Sequence, residues 1–198
     1  MRRLLPSLLA VLALPCAGAE LAVAVSGAGG VALPGAVVFL QSDAAAGAAR
    51  PLPQREIGQE SKTFVPGQLV ITRGTAVNFP NRDTVRHHVY SFSPAKRFEL
   101  KLYIGTPAEP VVFDTAGVAV LGCNIHDEMV AWVVIVDTPY YAETGVDGRT
   151  VLRDVPPGAY TLRAWHRGML PGSPATEQAV RVSANGGVAA VSIAGVRP

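Results

Sequence analysis

Residues 118–137 of the chain read VAVLGCNIHDEMVAWVVIVD, two apolar runs on either side of one short polar loop. The runs are rich in Val, which predicts β-strands over residues 118–123 and 130–137. The loop between them carries Cys123, His126 and Met129 at intervals of three residues. This stretch therefore predicts β-structure in which a thiol, an imidazole and a thioether are held together in one tight loop.

The rest of the chain has the same β-pattern. Short apolar runs, separated by Gly, Pro, Asn and Asp, predict further strands. They cover residues 21–25, 36–41, 68–72, 76–79, 88–92, 111–113, 160–166, 176–182 and 187–193. Residues 96–103 fit either a strand or a turn of helix, and the Ala/Gly/Pro-rich residues 44–53 predict a surface loop. We therefore predict an all-β protein.

Two further potential ligands, His87 and His88, lie at the predicted start of another strand. A thiolate, two imidazoles and a weakly bound thioether are the ligands of a type 1, or blue, copper site. Soft sulfur ligands stabilise Cu(I), while imidazole suits both oxidation states. We therefore predict one type 1 copper. Zinc is the alternative metal, because it accepts carboxylates and Asp127 and Glu128 directly follow His126.

The central residues 59–137 resemble the cupredoxins, the plastocyanin-like and amicyanin-like blue copper proteins. The matching segments are FVP at 64–66, LVI at 69–71, GT at 74–75, VNF at 77–79, NRD at 81–83, HHV at 87–89, 112–117 and CNIHDEM at 123–129. The short spacing of the last segment is similar to that of amicyanin. Residues 87–103, with CNIH at 123–126 and DTPYY at 137–141, resemble periplasmic proteins labelled methylamine utilisation proteins. The resemblance implies a Greek-key β-sandwich.

This resemblance places the copper ligands on His87, Cys123, His126 and Met129. In cupredoxins the upstream His ligand is typically followed by Asn and an apolar residue, and aligning that triplet on HHV makes His87 the ligand. His88 is the alternative to His87, since strand alternation lets only one of the two side chains point inward.

The segments that flank the central unit resemble a transthyretin-like or carboxypeptidase-regulatory-like β-sandwich. The matching segments are GVALPGAVV at 30–38, DGRT at 147–150 and VPPGAY at 155–160. The leading segment has only two predicted strands, too few to close a sandwich alone. We therefore predict that residues 20–58 and 139–198 form one small sandwich, with residues 59–138 inserted as the cupredoxin domain. A simple tandem order is the alternative.

The first residues have the pattern of a secretory signal peptide. Arg2 and Arg3 precede an apolar run that is too short to span a bilayer, and an Ala-x-Ala sequence ends at Ala19. We predict cleavage after Ala19 and a periplasmic protein; a retained anchor helix and a lipoprotein at Cys16 are the less favoured alternatives. Cleavage removes Cys16 and leaves Cys123 as a single thiol in an oxidising compartment, where a bound metal would protect it.

Composition excludes several classes of function. The 198 residues include 17 Lys and Arg against 15 Asp and Glu, without a basic stripe, so nucleic acid is not an expected partner. Removing Arg2 and Arg3 leaves equal numbers of basic and acidic residues. The sequence contains no Gly-x-Ser-x-Gly, His-Glu-x-x-His or phosphate-binding Gly loop. With four protein ligands on copper and no open position, we do not expect an enzyme.

The resemblance implies a carrier of single electrons between periplasmic redox partners, with electrons leaving at the edge of His126. The expected partner is a redox protein such as a c-type cytochrome or a dehydrogenase, and we expect a monomer with no membrane span after cleavage. The alternative is a periplasmic copper-binding protein for storage, sensing or delivery. A cupredoxin fold that has lost its metal is disfavoured, because the four ligand types are all present.

Overall fold

The computed structural model describes residues 18–196, and these form strands joined by short loops. The strands are β1 (Ala19–Ser26), β2 (Val37–Gln41), β3 (Arg55–Glu56), β4 (Gly58–Glu60), β5 (Thr63–Val65), β6 (Gln68–Thr72), β7 (Thr75–Asn78), β8 (His87–Ser93), β9 (Lys96–Tyr103), β10 (Val111–Phe113), β11 (Gly117–Gly122), β12 (Val130–Val136), β13 (Tyr141–Glu143), β14 (Arg149–Val155), β15 (Gly158–Trp165), β16 (Thr176–Val182) and β17 (Gly187–Ser192). The helices are α1 (Asp43–Ala48) and a 3₁₀ turn over Ala28–Gly30. The predicted all-β class is confirmed.

Several elements differ from the sequence prediction, and the four short strands β3, β4, β5 and β13 were not predicted. Residues 44–53 were predicted as a loop, but the first five of them belong to helix α1. Ser42 caps this helix, because its side-chain oxygen accepts a hydrogen bond from the backbone N–H of Ala45 at 3.1 Å. A run of Ala favours a helix once a cap satisfies the first turn. Strand β14 was not predicted, because Arg and Asp interrupt its apolar residues. Residues 96–103, for which both strand and helix were open, form strand β9.

The central strands form a five-stranded sheet with the order β6-β12-β11-β8-β9 and a three-stranded sheet with the order β10-β7-β3. Strand β12 runs parallel to β6 and antiparallel to β11, so the chain crosses over within this sheet. A buried core fills this central part of the fold. It is built from aromatic and aliphatic side chains, including Phe64, Phe79, Val89, Phe113, Leu121 and Val133, and it also contains Cys123 and Met129.

The strands at the two ends of the described chain pair with each other. One sheet has the order β14-β1-β17 and the other the order β13-β2-β15-β16. A second core, with Leu21, Leu40, Leu152 and Leu162 among its buried side chains, belongs to these strands. The predicted domain boundaries and the transthyretin-like assignment stay predictions.

A third, smaller cluster brings the sheets of these two groups together. Val37, Phe39 and Trp165 come from β2 and β15, and Val134 and Val136 come from β12. All five are buried, so the five-stranded sheet packs against the four-stranded one through its outer face.

The predicted signal peptide lies almost wholly outside the described residues, as does Cys16. Ala19 is the first residue of β1, where it pairs with Val155, and it is buried. Cleavage after Ala19 would therefore remove the first residue of this strand. In residues 18–196 no helix has the length and hydropathy that a membrane span requires.

Candidate metal centre

The ends of three neighbouring strands, β8, β11 and β12, meet at one end of the five-stranded sheet. Gly122, the last residue of β11, pairs with Tyr90 of β8 and with the first residue of β12. Strand β8 begins at His87, Cys123 directly follows β11, and Met129 directly precedes β12. The pairing register therefore brings side chains that are distant in sequence to the same end of the sheet.

His87, Cys123 and His126 place one potential ligand atom each within 4.8 Å of one another. The Nδ1 atom of His87 lies 4.0 Å from the Sγ atom of Cys123. The ring centroids of His87 and His126 are 5.0 Å apart. His87 and Cys123 are buried and His126 is half-buried, so the cluster lies just below the surface.

The loop after Cys123 is closed by its own backbone. The N–H of Met129 donates a hydrogen bond to the carbonyl oxygen of His126 at 2.9 Å. This turn holds His126 beside Cys123 and returns Met129 to the buried core that also contains Cys123. Ile125, Asp127 and Glu128 point outward and are exposed.

His88 lies outside this cluster. Its Nε2 atom is 3.0 Å from Oε1 of Glu99, a contact without hydrogen-bond geometry. Its ring centroid lies 5.5 Å from that of Tyr90, two residues further along the strand. His87 instead faces Cys123, so of the two adjacent histidines the structure places His87, and not His88, beside the thiol.

Asp83 contacts His87 from the side opposite Cys123. Its Oδ2 atom lies 2.8 Å from Nε2 of His87. Burial raises the pKa of the Asp83 carboxyl, but hydrogen bonds from Lys62, His87 and Ser61 outweigh burial and hold this pKa below its ordinary value. The cluster therefore has an ionised carboxylate directly behind one of its imidazoles.

A buried polar pair lies beneath the start of β8. Tyr103 pairs with His87 in the sheet, and its hydroxyl donates a hydrogen bond to the carbonyl of Phe79 at 2.6 Å. The side-chain amide of the fully buried Gln59 donates to the hydroxyl oxygen of Tyr103 and to the same carbonyl. Burial raises the pKa of Tyr103 to about 12, although the hydrogen bond from Gln59 acts in the opposite direction. Tyr103 is therefore a neutral structural group.

The donor set and one unsatisfied atom fit a copper ion. The Nδ1 atom of His126 is buried and has no hydrogen-bond partner among the described residues. An unpaired buried imidazole nitrogen is costly, and a metal ion would satisfy it. One thiolate and two imidazoles suit one type 1 copper, which His87, Cys123 and His126 would hold, with Met129 as the predicted weak ligand.

The carboxylates that kept zinc open as an alternative do not join the cluster. Asp127 and Glu128 are exposed, and the group of ligand atoms within 4.8 Å contains neither. Zinc would therefore have to be bound by the same three side chains without a carboxylate.

The fourth histidine of the chain has a structural environment. His166 is buried, its Nε2 donates to the carbonyl of Pro34 at 3.1 Å, and its Nδ1 accepts from the N–H of Gly168 at 3.1 Å. Burial lowers the pKa of His166, and the hydrogen bond with Pro34 acts in the opposite direction. With both nitrogens satisfied, His166 has no free atom for a metal.

Sequence reasoning missed Asp83 and Gln59 as parts of this site. Asp83 entered the sequence analysis only as part of the cupredoxin resemblance, in the segment NRD at 81–83. The signal that could have identified it is an Asp in a loop four residues before a candidate His ligand. For Gln59 no such signal exists, because its partner Tyr103 is distant in sequence.

No protein-family model matches this chain, and no curated protein matches it. Among solved structures, a copper-containing nitrite reductase from Thermus scotoductus is similar over 45% of this chain, with 24% identity and a TM-score of 0.39. The similarity spans only 23% of the length of that enzyme.

Two other structural neighbours are similar over nearly their whole length. A purple cupredoxin from Nitrosopumilus maritimus matches over 41% of this chain and 99% of its own, with 23% identity and a TM-score of 0.37. A variant of amicyanin in its reduced Cu(I) form matches over 50% of this chain and 98% of its own, with 19% identity and a TM-score of 0.38. Similarity this remote does not assign a function, so functional inference depends on the chain's own donor atoms.

Proposed function

We propose that this chain is an exported type 1 copper protein that carries single electrons between redox partners in the periplasm. The observation that carries the proposal is the convergence of His87, Cys123 and His126 at one end of a rigid sheet. His87 comes from the start of β8, whereas Cys123 and His126 come from the loop between β11 and β12. One thiol and two imidazoles are the strong ligands of a type 1 copper site.

The properties of the cluster favour electron transfer over turnover of a substrate. When bound, copper would supply a one-electron couple, Cu(II)/Cu(I). Cys123 and Met129 are both buried in the central core, which limits how far their sulfur atoms can move. A rigid ligand set keeps the structural change between the two oxidation states small. Four protein ligands also leave no position for a substrate, so we propose that the chain is not an enzyme.

The exposed edge of His126 is the proposed route for electrons. His126 is half-buried, and its exposed neighbours in the loop are the apolar Ile125 on one side and the acidic Asp127 and Glu128 on the other. We propose that a partner docks on Ile125 beside this ring. The proposed partner is a redox protein such as a c-type cytochrome or a dehydrogenase. Since the chain without Arg2 and Arg3 has no net charge, we expect little electrostatic steering and a weak dependence of encounter on salt.

The test is a visible spectrum of the chain beginning at Glu20, loaded with Cu(II). A thiolate-to-Cu(II) charge-transfer band should give an intense blue or green colour. Cys123→Ser should abolish the band while the far-UV circular dichroism stays unchanged. Ala119→Ser, which adds a hydroxyl at another buried position of the same core, is the control and should keep the band.

A colourless Cu(II) complex of the unaltered chain would refute the type 1 assignment. Storage or delivery of copper is distinguished from electron carriage by reduction in the presence of a Cu(I) chelator. A carrier retains its copper and returns to the same spectrum on reoxidation, whereas a delivery protein loses Cu(I) to the chelator.

A further inference from the structure

Asp83 is bound by a hairpin whose backbone is unusual. Ser61 and Lys62 connect β4 to β5, and both have positive φ angles, 51° and 58°. Residues other than Gly rarely adopt this conformation, and it is found where the surrounding structure enforces it. Here it turns two consecutive N–H groups towards one carboxylate. The N–H of Ser61 donates to Oδ1 of Asp83 at 2.6 Å, and that of Lys62 donates to Oδ2 at 2.8 Å.

The backbone of Asp83 is held from the other side by Asn81. The N–H of Asp83 donates to Oδ1 of Asn81 at 2.9 Å. The side-chain amide of Asn81 donates to the carbonyls of Val85 and Tyr103, at 2.9 and 2.8 Å. Asn81 is buried, so these contacts fix the loop that leads into β8. The position of Asp83 is therefore determined by three separate segments of the chain.

This fixed carboxylate decides which nitrogen of His87 carries a proton. An ionised carboxylate only accepts hydrogen bonds, so the Nε2 atom of His87, 2.8 Å from Oδ2 of Asp83, must be the donor. In a neutral imidazole the other nitrogen, Nδ1, then keeps its lone pair. That atom is the one that faces the Sγ atom of Cys123, at 4.0 Å.

We propose that Asp83 is a positioning residue that fixes the Nε2–H tautomer and the ring orientation of His87, so that Nδ1 is ready to bind a metal. A carboxylate behind a metal-bound imidazole also makes the imidazole a stronger donor. A stronger, more negative ligand environment favours Cu(II) over Cu(I). The second effect rests on the proposed function, whereas the first concerns the metal-free protein alone.

The first experiment uses the metal-free chain beginning at Glu20 and measures the ¹⁵N shifts of the His87 ring, which distinguish the Nε2–H tautomer from the Nδ1–H tautomer. We expect only the Nε2–H tautomer in the unaltered chain and a mixture of tautomers in Asp83→Ala. Asp114→Asn is the control for the loss of one carboxylate, since Asp114 is exposed and paired with Lys96. An Asp83→Ala variant that folds and still shows only Nε2–H overturns the proposal.

The second experiment uses Asp83→Asn, which keeps a neutral acceptor and the size of the side chain. Replacing a partner of a metal-binding His typically weakens metal binding by about 10–100-fold. We expect Asp83→Asn to lose about tenfold of the preference for Cu(II) over Cu(I), which is a rise of about 59 mV for one electron. A potential equal to that of Asp114→Asn overturns the role in tuning, even if Asp83→Ala does not fold.

The two proposals fail separately. If the unaltered chain gives no charge-transfer band, the copper function is refuted, and the tautomer of His87 still decides whether Asp83 acts as stated. If the band is present and Asp83→Ala changes only the free energy of unfolding, Asp83 is merely structural and the proposal for it is wrong.

Discussion

At the scale of single residues, the two adjacent histidines show how one backbone step separates two roles. His87 faces Cys123 and Val89 belongs to the central core, whereas His88 lies beside Tyr90. The pairing of β8 with β9 shifts in register between His87 and Val89, which marks an irregularity at the start of the strand. Even so, the two rings leave the chain on different sides, and only that of His87 lies near Cys123.

Replacing each histidine separately tests this division. His87→Ala should remove the charge-transfer band of the copper-loaded chain or shift it strongly, because it deletes an imidazole that faces the thiolate. His88→Ala should leave the band nearly unchanged. The absorption spectrum and the copper content of both variants decide the matter, and the opposite pattern would move the ligand by one residue.

Much of the residue-scale arrangement followed from local spacing. Cys123 and His126 share one loop, so their proximity was predictable from three residues of separation. Asp83 was not predictable as a partner of His87, because its position depends on the Ser61–Lys62 hairpin and on Asn81. Contacts of this kind depend on tertiary pairing, which residue types and short spacing do not reveal.

At the scale of elements, the tight turn between β16 and β17 packs against the first strand. Gly186 in this turn has a φ of +85°, and a Cβ atom there would lie 2.4 Å from the backbone oxygen of Glu20. A backbone oxygen within a sheet cannot rotate away as a flexible side chain could. The turn therefore requires Gly for two reasons, its conformation and the close approach of β1.

Gly172 provides a matched control for Gly186, since its φ is +80° and a Cβ atom there would have no neighbour within 4 Å. Gly172→Ala should lower the free energy of unfolding by roughly 1–2 kcal/mol, the cost of a left-handed conformation. Gly186→Ala should lower it by at least twice as much, because the turn or β1 must also move. Urea unfolding of both variants measures the difference. If both variants lose the same free energy of unfolding, β1 moves away from the added Cβ atom without an energetic penalty, and the prediction is wrong.

The elements that could be predicted were those with regular apolar patterns. Strand β6 was predicted with its observed bounds, Gln68–Thr72, and β16 with its observed bounds, Thr176–Val182. Strand β14 escaped prediction because Arg153 and Asp154 break the alternation, and Asp154 has a positive φ of 55°. The short strand β3 gains its partner, β7, from a distant segment, whereas β4 pairs with β5 across the two-residue turn Ser61–Lys62. Each of these strands has too few residues to carry a recognisable apolar pattern.

At the scale of the whole molecule, two large cores are joined by the small cluster around Trp165. This side chain is buried with Val134 and Val136 of β12, between the five-stranded and the four-stranded sheets. The candidate ligands all belong to the central group of strands. Stabilisation by copper should therefore reach the outer sheets mainly through this cluster.

Replacing Trp165 by Ala tests whether copper stabilises the outer sheets through this cluster. Replacing a buried Trp by Ala typically lowers the free energy of unfolding by about 3–5 kcal/mol. Here the substitution removes packing between the five-stranded and the four-stranded sheets. In calorimetry we expect one transition in the unaltered chain and two in the variant, of which copper raises only one, because a bound ligand stabilises only the unit that binds it. A single transition in Trp165→Ala that copper raises as a whole would contradict this role for the cluster.

The parallel pairing of β1 with β17, from Leu21 opposite Gly187 to Ser26 opposite Ser192, has a consequence for biosynthesis. A ribosome releases β1 long before either of its neighbours, β14 or β17, has been made. Until then both edges of the nascent strand have unpaired backbone N–H and C=O groups, and such edges can form hydrogen bonds with other chains. Binding by a chaperone until the final strand emerges would protect it, and a chain interrupted before residue 187 would leave one edge of β1 permanently uncovered.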